Sequence, residues 1–296
     1  MYKIGFIGLG IMGMPMAKNL IDAGYELTAY DINKKALTEI VEYGAKKGVS
    51  IKDVVGNSEL ILTMLPNSPH VKEVVMGENG IINSINNKQV FIDMSSISPL
   101  VSQEIGLALE DKGVNSMDAP VSGGEEKAKE GTLAFMVGGK KEVFDKYRSI
   151  LDIMGESVTL VGNIGAGQTT KLVNQAIVGI NIAAISEALT LGKKSGVDPE
   201  KIFNAIRGGL AGSQCLEDKA PRMFSGNFDP GFKMKLHVKD LNNVFESSRE
   251  LNVAMPLTSL VMDMMQSIMN DGHTEADHGG LALFYEKINK LSLKND

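Results

Sequence analysis

Three short stretches of this chain carry residue types that bind an anion or move a proton. The first is Gly8-Leu9-Gly10-Ile11-Met12-Gly13, which follows an apolar run ending at Ile7. A helical pattern comes next, Gly24 closes it, and a second apolar run ends on Asp31. Glycines so spaced between a strand and a helix, with an acidic residue about 20 positions on, form the fingerprint of a dinucleotide-binding turn. Gly8 permits the tight turn, Gly10 lets backbone approach a pyrophosphate, and Gly13 lets the helix pack close. The helix N-terminus then presents N–H groups and a favourable dipole to the anion. A carboxylate at Asp31 accepts hydrogen bonds from a ribose diol and repels a 2′-phosphate, so NAD is favoured. Ile32 and Asn33 stand where NADP binders usually place arginine, while Lys34 and Lys35 leave NADP possible.

The second stretch is Ser122-Gly123-Gly124, closing the run Asp118-Ala119-Pro120-Val121. Successive backbone N–H groups there suit an anion nest for a substrate carboxylate, with the Ser122 hydroxyl as a further donor. A structural turn before a helix is the other reading. The third is Lys171, in the first turns of a long helical pattern that follows Gly162, Gly165 and Gly167. Hydride transfer to a carbonyl builds charge on oxygen, so a proton donor must stand beside it. A lysine at a domain seam, with apolar neighbours and a positive helix end nearby, has its pKa lowered towards the working range. Asn174 and Gln175, three and four residues on, fall on or near the same helix face and suit substrate oxygen or lysine orientation. Taken alone, Lys171 reads equally as a solvated surface residue. Leu65-Pro66-Asn67-Ser68 and Asp93-Met94-Ser95-Ser96 lie at strand ends, where open α/β sheets bind ligands, and both also read as ordinary turns.

The elements that must position these residues alternate in the first half of the chain. Strands are expected at 3–8, 26–30, 60–64, 90–93, 116–118, 134–137 and 157–161, with helical patterns between them, one capped by Asn33 and one by Ser98 ahead of Pro99. A helix from about Gln168 to Ser195, stopped by Gly196, spans on the order of 40 Å. Beyond it, helices are expected at 199–207, 215–223, 238–250, 256–271 and 275–290. The expected architecture is an α/β Rossmann-type nucleotide-binding domain, residues 1–163, then an all-α domain, residues 164–296, joined by the long interdomain helix.

Composition narrows the function classes. The chain has 296 residues, 43% of them hydrophobic, a net charge of −6, one cysteine (Cys215) and four histidines. Two domains suit this length. The acidic balance, with no basic cluster, excludes general nucleic-acid binding. One cysteine forms no internal disulfide and fits a reducing cytosol. The first strand leaves no room for a signal peptide, and the apolar stretch 176–184 is too short for a bilayer span, so a cytoplasmic protein without a membrane partner is expected. The scattered histidines have no metal-ligand spacing, and no metal is expected.

The chain resembles the β-hydroxyacid dehydrogenase family, related to 3-hydroxyisobutyrate dehydrogenase. GFIGLGIMGMPMAKNL, LTMLPNSPHVKEV, IDMSSISP, DAPVSGGEEKAKEGTLAFMVGG, GNIGAGQTTKLVNQ and LHVKDL carry the resemblance over nearly the whole chain. It implies an NAD(P)-dependent oxidoreductase acting on CH–OH groups. It also implies that Lys171 is the catalytic lysine and that Ser122, Gly123 and Gly124 hold the substrate carboxylate. Leu65, Pro66, Ser96 and Lys239 are implied cofactor contacts. Many members carry asparagine where this chain has Gln175, a departure that looks like the tartronate semialdehyde reductases. AIRGGLAGS, KAPRM and ADHGGLALFYEK point the same way, so the implied reaction is reduction of tartronate semialdehyde (2-hydroxy-3-oxopropanoate) to glycerate. Arg207, Ser213, Lys239 and Asp240 are candidates for setting pocket size. Relatives acting on 3-hydroxyisobutyrate or 2-(hydroxymethyl)glutarate are the alternatives. Imine reductases and non-catalytic nucleotide-binding modules look similar but usually lack the lysine. The resemblance further implies a homo-oligomer, dimer or tetramer, built through the helical domain.

Overall fold

The computed structural model describes residues 2–295. Contacts divide the chain into two compact units, Met1–Lys171 and Leu172–Asp296. In the first, β1 (Lys3–Ile7), α1 (Gly13–Asp22), β2 (Glu26–Tyr30), α2 (Lys34–Tyr43), β3 (Lys46–Lys47), α3 (Ile51–Gly56), β4 (Leu60–Thr63), α4 (Ser68–Met76), β5 (Val90–Asp93), α5 (Pro99–Glu110) and β6 (Asn115–Asp118) alternate. There follow β7 (Val121–Ser122), α6 (Gly124–Glu130), β8 (Leu133–Gly139), α7 (Lys141–Leu151) and β9 (Gly155–Gly162). The strand order is β3-β2-β1-β4-β5-β6-β8-β7, with β9 paired to β8. β3 to β6 are parallel neighbours, whereas β8 runs antiparallel to β6 and β7. The order from β3 to β6 is that of a dinucleotide-binding sheet, whose direction of winding reverses between β1 and β4.

Strand periodicity explains how both faces are covered. Ile4, Phe6, Leu27, Leu60, Leu62 and Ile92 share one core with Met16, Leu20 and Ile40 of α1 and α2. Ile7, Ile61 and Phe91 point the other way, into a core with Val54, Val71 and Ile105 of α3, α4 and α5. Side chains alternate along a strand, so near-continuous apolar runs are what a sheet buried on both faces requires.

The long helix α8 (Ala166–Lys194) begins in the first unit and continues into the second. Gly196 stops it at φ +83°, the left-handed conformation expected just beyond a helix end. By length and composition the whole helix is apolar enough to cross a membrane, and the stretch 176–184 is only part of it. Leu172, Ile182, Ala183 and Leu189 lie in the core of the second unit, as in a buried core helix, whereas Val173, Ile177 and Leu191 are exposed.

The second unit continues with α9 (Pro199–Ile206), α10 (Gln214–Ser225), α11 (Met234–Glu250), α12 (Pro256–Ile268) and α13 (Ala282–Asn289). The expected helix at 275–290 is shorter. A π turn over Met269–His273, with Gly272 at φ +100°, ends α12, and a 3-10 turn His278–Leu281 precedes α13. Asp277 caps that turn by accepting the Gly279 N–H, and a side chain that fixes a turn in this way breaks the helical run. Asn33 caps α2 as expected. Ser98 occupies the cap position of α5 but makes no capping bond with its side chain.

Candidate active site

The glycine turn sits where β1 and β4 part. Gly8 has φ +101°, and a Cβ there would lie 2.3 Å from the Met64 carbonyl oxygen. Only glycine tolerates both conditions. A Cβ on Gly13 would lie 2.0 Å from the Gly8 carbonyl oxygen, so the first turn of α1 rests directly on the loop. Gly10 is different. Nothing lies within 4 Å of its Cβ position, which leaves its backbone open to a ligand. The cap residue of α1, Met12, makes no side-chain capping bond, whereas Asn33, Ser50 and Asn67 cap their helices. An open backbone at an uncapped helix start fits a pyrophosphate. Leu9 is buried in the turn, Ile11 is exposed and Met12 is half-buried.

Asp31 is held against this turn. Its Oδ2 accepts the Leu9 N–H and its Oδ1 accepts the Asn33 N–H, each at 2.6 Å. Each carboxylate oxygen keeps a further lone pair for a ribose hydroxyl.

The ends of β4, β5 and β6 are tied by a buried polar network. Thr63 Oγ1 donates to Asp93 Oδ1 at 2.7 Å, and Ser95 Oγ donates to the same atom at 2.6 Å. Ser95 Oγ in turn accepts the Leu65 N–H at 2.8 Å. This places Leu65, half-buried, and Pro66, exposed, beside the loop that carries half-buried Ser96. Asp118, fully buried, anchors the start of α8: its Oδ1 accepts the Gly165 N–H and its Oδ2 the Gln168 N–H, both at 2.7 Å. Burial pushes the Asp118 carboxyl up to about 7, outweighing those two bonds. Lys171, one turn on from Gln168, is only 7% exposed, and lysine is rarely so buried without a specific reason. The sequence pointed to no role for Asp118, Gln168 or Thr63, and to Asp93 only as part of a strand-end stretch. The signal available for the two aspartates was their position as the last residues of strands.

Ser122 ends β7, which pairs with β8 as Ser122↔Ala134. Gly123 and Gly124 turn through φ +142° and +75° into α6. Glu125 and Glu126 follow in its first turn, and Lys129 binds both at 2.9 Å, which offsets their repulsion of an anion.

Within the second unit, Asn174, Gln175 and Lys239 gather around Asp240. Asn174 Nδ2 donates to Gln175 Oε1 at 2.9 Å, Gln175 Nε2 donates to Asp240 Oδ2 at 2.5 Å, and Lys239 Nζ lies 2.9 Å from Asp240 Oδ1. Two histidines pack nearby. His237 Nε2 meets the Gln175 carbonyl oxygen at 3.0 Å, and His237 Nδ1 lies 2.7 Å from His278 Nδ1. A carbonyl only accepts, so His237 carries hydrogen on Nε2. Arg207 binds Glu217, and Ser213 caps α10. Among the described residues, no group of three or more His, Cys, Asp or Glu is placed to hold a metal ion.

Comparison with known proteins agrees with this geometry. Residues 3–162 match the NAD-binding domain of 6-phosphogluconate dehydrogenase. Residues 165–285 match the family described as NAD-binding of NADP-dependent 3-hydroxyisobutyrate dehydrogenase. The chain is 42% identical to 2-hydroxy-3-oxopropionate reductase of Escherichia coli, over 94% of this chain and 95% of that one. It is 36% identical to 2-(hydroxymethyl)glutarate dehydrogenase of Eubacterium barkeri, over 98% and 97% of the two chains. Among solved structures, 3-hydroxyisobutyrate dehydrogenase of Mycobacterium tuberculosis, determined with L-serine, superimposes with a TM-score of 0.89 at 29% identity, covering 96% of this chain and 98% of that one. The dinucleotide turn, the NAD(P)-binding sheet and these relatives lead to one conclusion: the chain belongs to the β-hydroxyacid dehydrogenase family, the NAD(P)-dependent oxidoreductases of small hydroxy acids that include 3-hydroxyisobutyrate dehydrogenase.

Proposed function

We propose that this enzyme reduces tartronate semialdehyde to glycerate, with NAD preferred over NADP and Lys171 as general acid, or as general base in reverse. The observation that carries the reading is the burial of Lys171 (7% exposed) on a helix whose start is clamped to the strand ends. A proton donor must be held within hydrogen-bond reach of the developing alkoxide, and a helix fixed at its N-terminal turn gives an amine that constancy. A bound nicotinamide supplies the hydride chemistry. The chain's own residues do the rest in this proposal. Gly8, Leu9, Gly10, Ile11, Met12 and Gly13 cradle the pyrophosphate. Asp31 takes the ribose diol, and Leu65, Pro66, Ser96 and Lys239 line the dinucleotide further along. Ser122, Gly123 and Gly124 hold the carboxylate of the acid, and Asn174 and Gln175 orient its oxygens or the lysine.

The substrate choice is supported by the 42% identity to 2-hydroxy-3-oxopropionate reductase and by glutamine at position 175. We assign most of the dinucleotide binding to residues 1–163, which also supply Ser122, Gly123 and Gly124 to the substrate, and the remaining substrate contacts and assembly into a dimer or tetramer to residues 164–296. The test is a steady-state panel with NADH/NAD and NADPH/NADP on tartronate semialdehyde, glycerate, 3-hydroxyisobutyrate and 2-(hydroxymethyl)glutarate. Highest kcat/KM for tartronate semialdehyde is expected. A tenfold preference for either of the other acids would reassign the substrate within the family.

A further inference from the structure

Gln168 is fully buried and spends both ends of its side-chain amide on the backbone of another element. Its Nε2 donates to the Ser95 carbonyl at 2.7 Å, and its Oε1 accepts the Ile97 N–H at 3.0 Å. Its own backbone N–H goes to Asp118 Oδ2 at 2.7 Å. Ser95, the residue it grips, also accepts the Leu65 N–H. An unbroken chain of hydrogen bonds therefore runs from Leu65 through Ser95 and Gln168 to Asp118 and the first turn of α8.

We propose that Gln168 is a positioning residue: it clasps α8 to the loops after β4 and β5, and so fixes Lys171 relative to Leu65, Pro66 and Ser96. This rests on the role assigned to Lys171 above. The chemistry of the clasp is specific. One backbone acceptor and one backbone donor, two residues apart, are met by a single planar amide. A hydrocarbon of the same length meets neither, and a carboxylate meets only the N–H. Lys171 lies three positions on, on the neighbouring turn of the same face. A small rotation or slide of the helix start would carry the amine with it, and displacements of about 1 Å cost on the order of a hundredfold in rate.

The test compares Gln168→Met, Gln168→Glu and Lys171→Ala with the intact enzyme, using whichever acid the panel turns over best. Thermal unfolding confirms that each variant is folded. In Gln168→Met, kcat is expected to fall at least tenfold, with KM for the acid changing less than threefold. Amide exchange at Ile97 is expected to quicken at least tenfold, a readout independent of activity. In Gln168→Glu, the protonated carboxyl restores both bonds, its O–H donating to Ser95 and its carbonyl accepting from Ile97. The ratio of its kcat to that of the intact enzyme should therefore rise as pH falls. Asp93 and Asp118 are present in both proteins, so the ratio isolates the new carboxyl. Should Gln168→Met unfold, the Glu variant decides. Wild-type kcat in folded Gln168→Met, unchanged Ile97 exchange, or a Glu ratio flat with pH would each overturn the clasp while Lys171→Ala remains strongly impaired. Full turnover in Lys171→Ala would instead overturn the lysine assignment on which it rests.

Discussion

Asp31 and Leu9, 22 residues apart, are joined by a 2.6 Å hydrogen bond from the Leu9 N–H to Asp31 Oδ2. The carboxylate proposed to read a ribose thus also shapes the glycine turn. Asp31→Ala is expected to weaken both dinucleotides, because the turn loosens for each. NAD should lose more, about tenfold or beyond, since charge-assisted bonds to its ribose diol go as well. For NADP, relief of repulsion at the 2′-phosphate offsets part of the loss. Fluorescence titration with NADH and NADPH measures this, and equal losses would remove the ribose argument.

Lys171→Ala is expected to lower kcat by about 10²–10⁴, the range for removing a positioned acid or base. Dissociation constants for NADH should stay within about threefold. Single-turnover kinetics beside cofactor titration separates the two. A variant of near-normal rate would show that the proton comes from elsewhere.

Asp118 predicts a pH dependence of stability. Its folded-state value of about 7 lies above the ordinary 3.8, so between these values the folded protein holds a proton that the unfolded chain releases. This contribution is complete below about pH 4 and is lost as pH rises towards 7. The slope is at most about 1.4 kcal/mol per pH unit for one group. Denaturant unfolding at fixed ionic strength across this window should give a shallower profile for Asp118→Asn than for the parent. Parallel profiles would mean that Asp118 ionises normally.

Lys219 and Asp277 form a buried ion pair in the helical unit, 6% and 0% exposed at the side chain, with Nζ 3.0 Å from Oδ1. Asp277 also accepts N–H bonds from Gly231, Phe232 and Gly279, so it stitches the loop before α11 to the turn before α13. Lys219→Met leaves that carboxylate buried without its cation and should cost about 3–5 kcal/mol. Calorimetry would show a lowered Tm, and an unchanged Tm would mean that the N–H bonds suffice.

Gln175→Asn tests the length of the amide that reaches Asp240. The shorter side chain cannot hold the 2.5 Å contact to Asp240 Oδ2, so a loss of about 1–3 kcal/mol is expected for a buried bond to a charged group. Chemical denaturation of the variant reads this directly. In the substrate panel, the same variant should shift preference towards 3-hydroxyisobutyrate.

Local chemistry made much of this protein legible from its residues alone. The glycine turn, Asp31, the alternating strands and the long helix with its Gly196 stop each depend on neighbours within a few positions, or on a periodicity that one chain segment displays. Short elements escaped: β3 and β7 span two residues each, too few to show a period. The break before α13 escaped as well: Asp277 caps the turn on Gly279, but that carboxylate is held in place by partners 45 and 46 residues away in the loop before α11. The clamp at the start of α8 was equally hidden. Asp118 meets Gly165 and Gln168 across 47 and 50 residues, and Gln168 reaches Ser95 across 73. Hydrogen-bond partners separated by that much chain are chosen by how the sheet winds, so only the folded protein could disclose that a buried glutamine and a buried carboxyl from β6 together hold the start of the helix carrying Lys171.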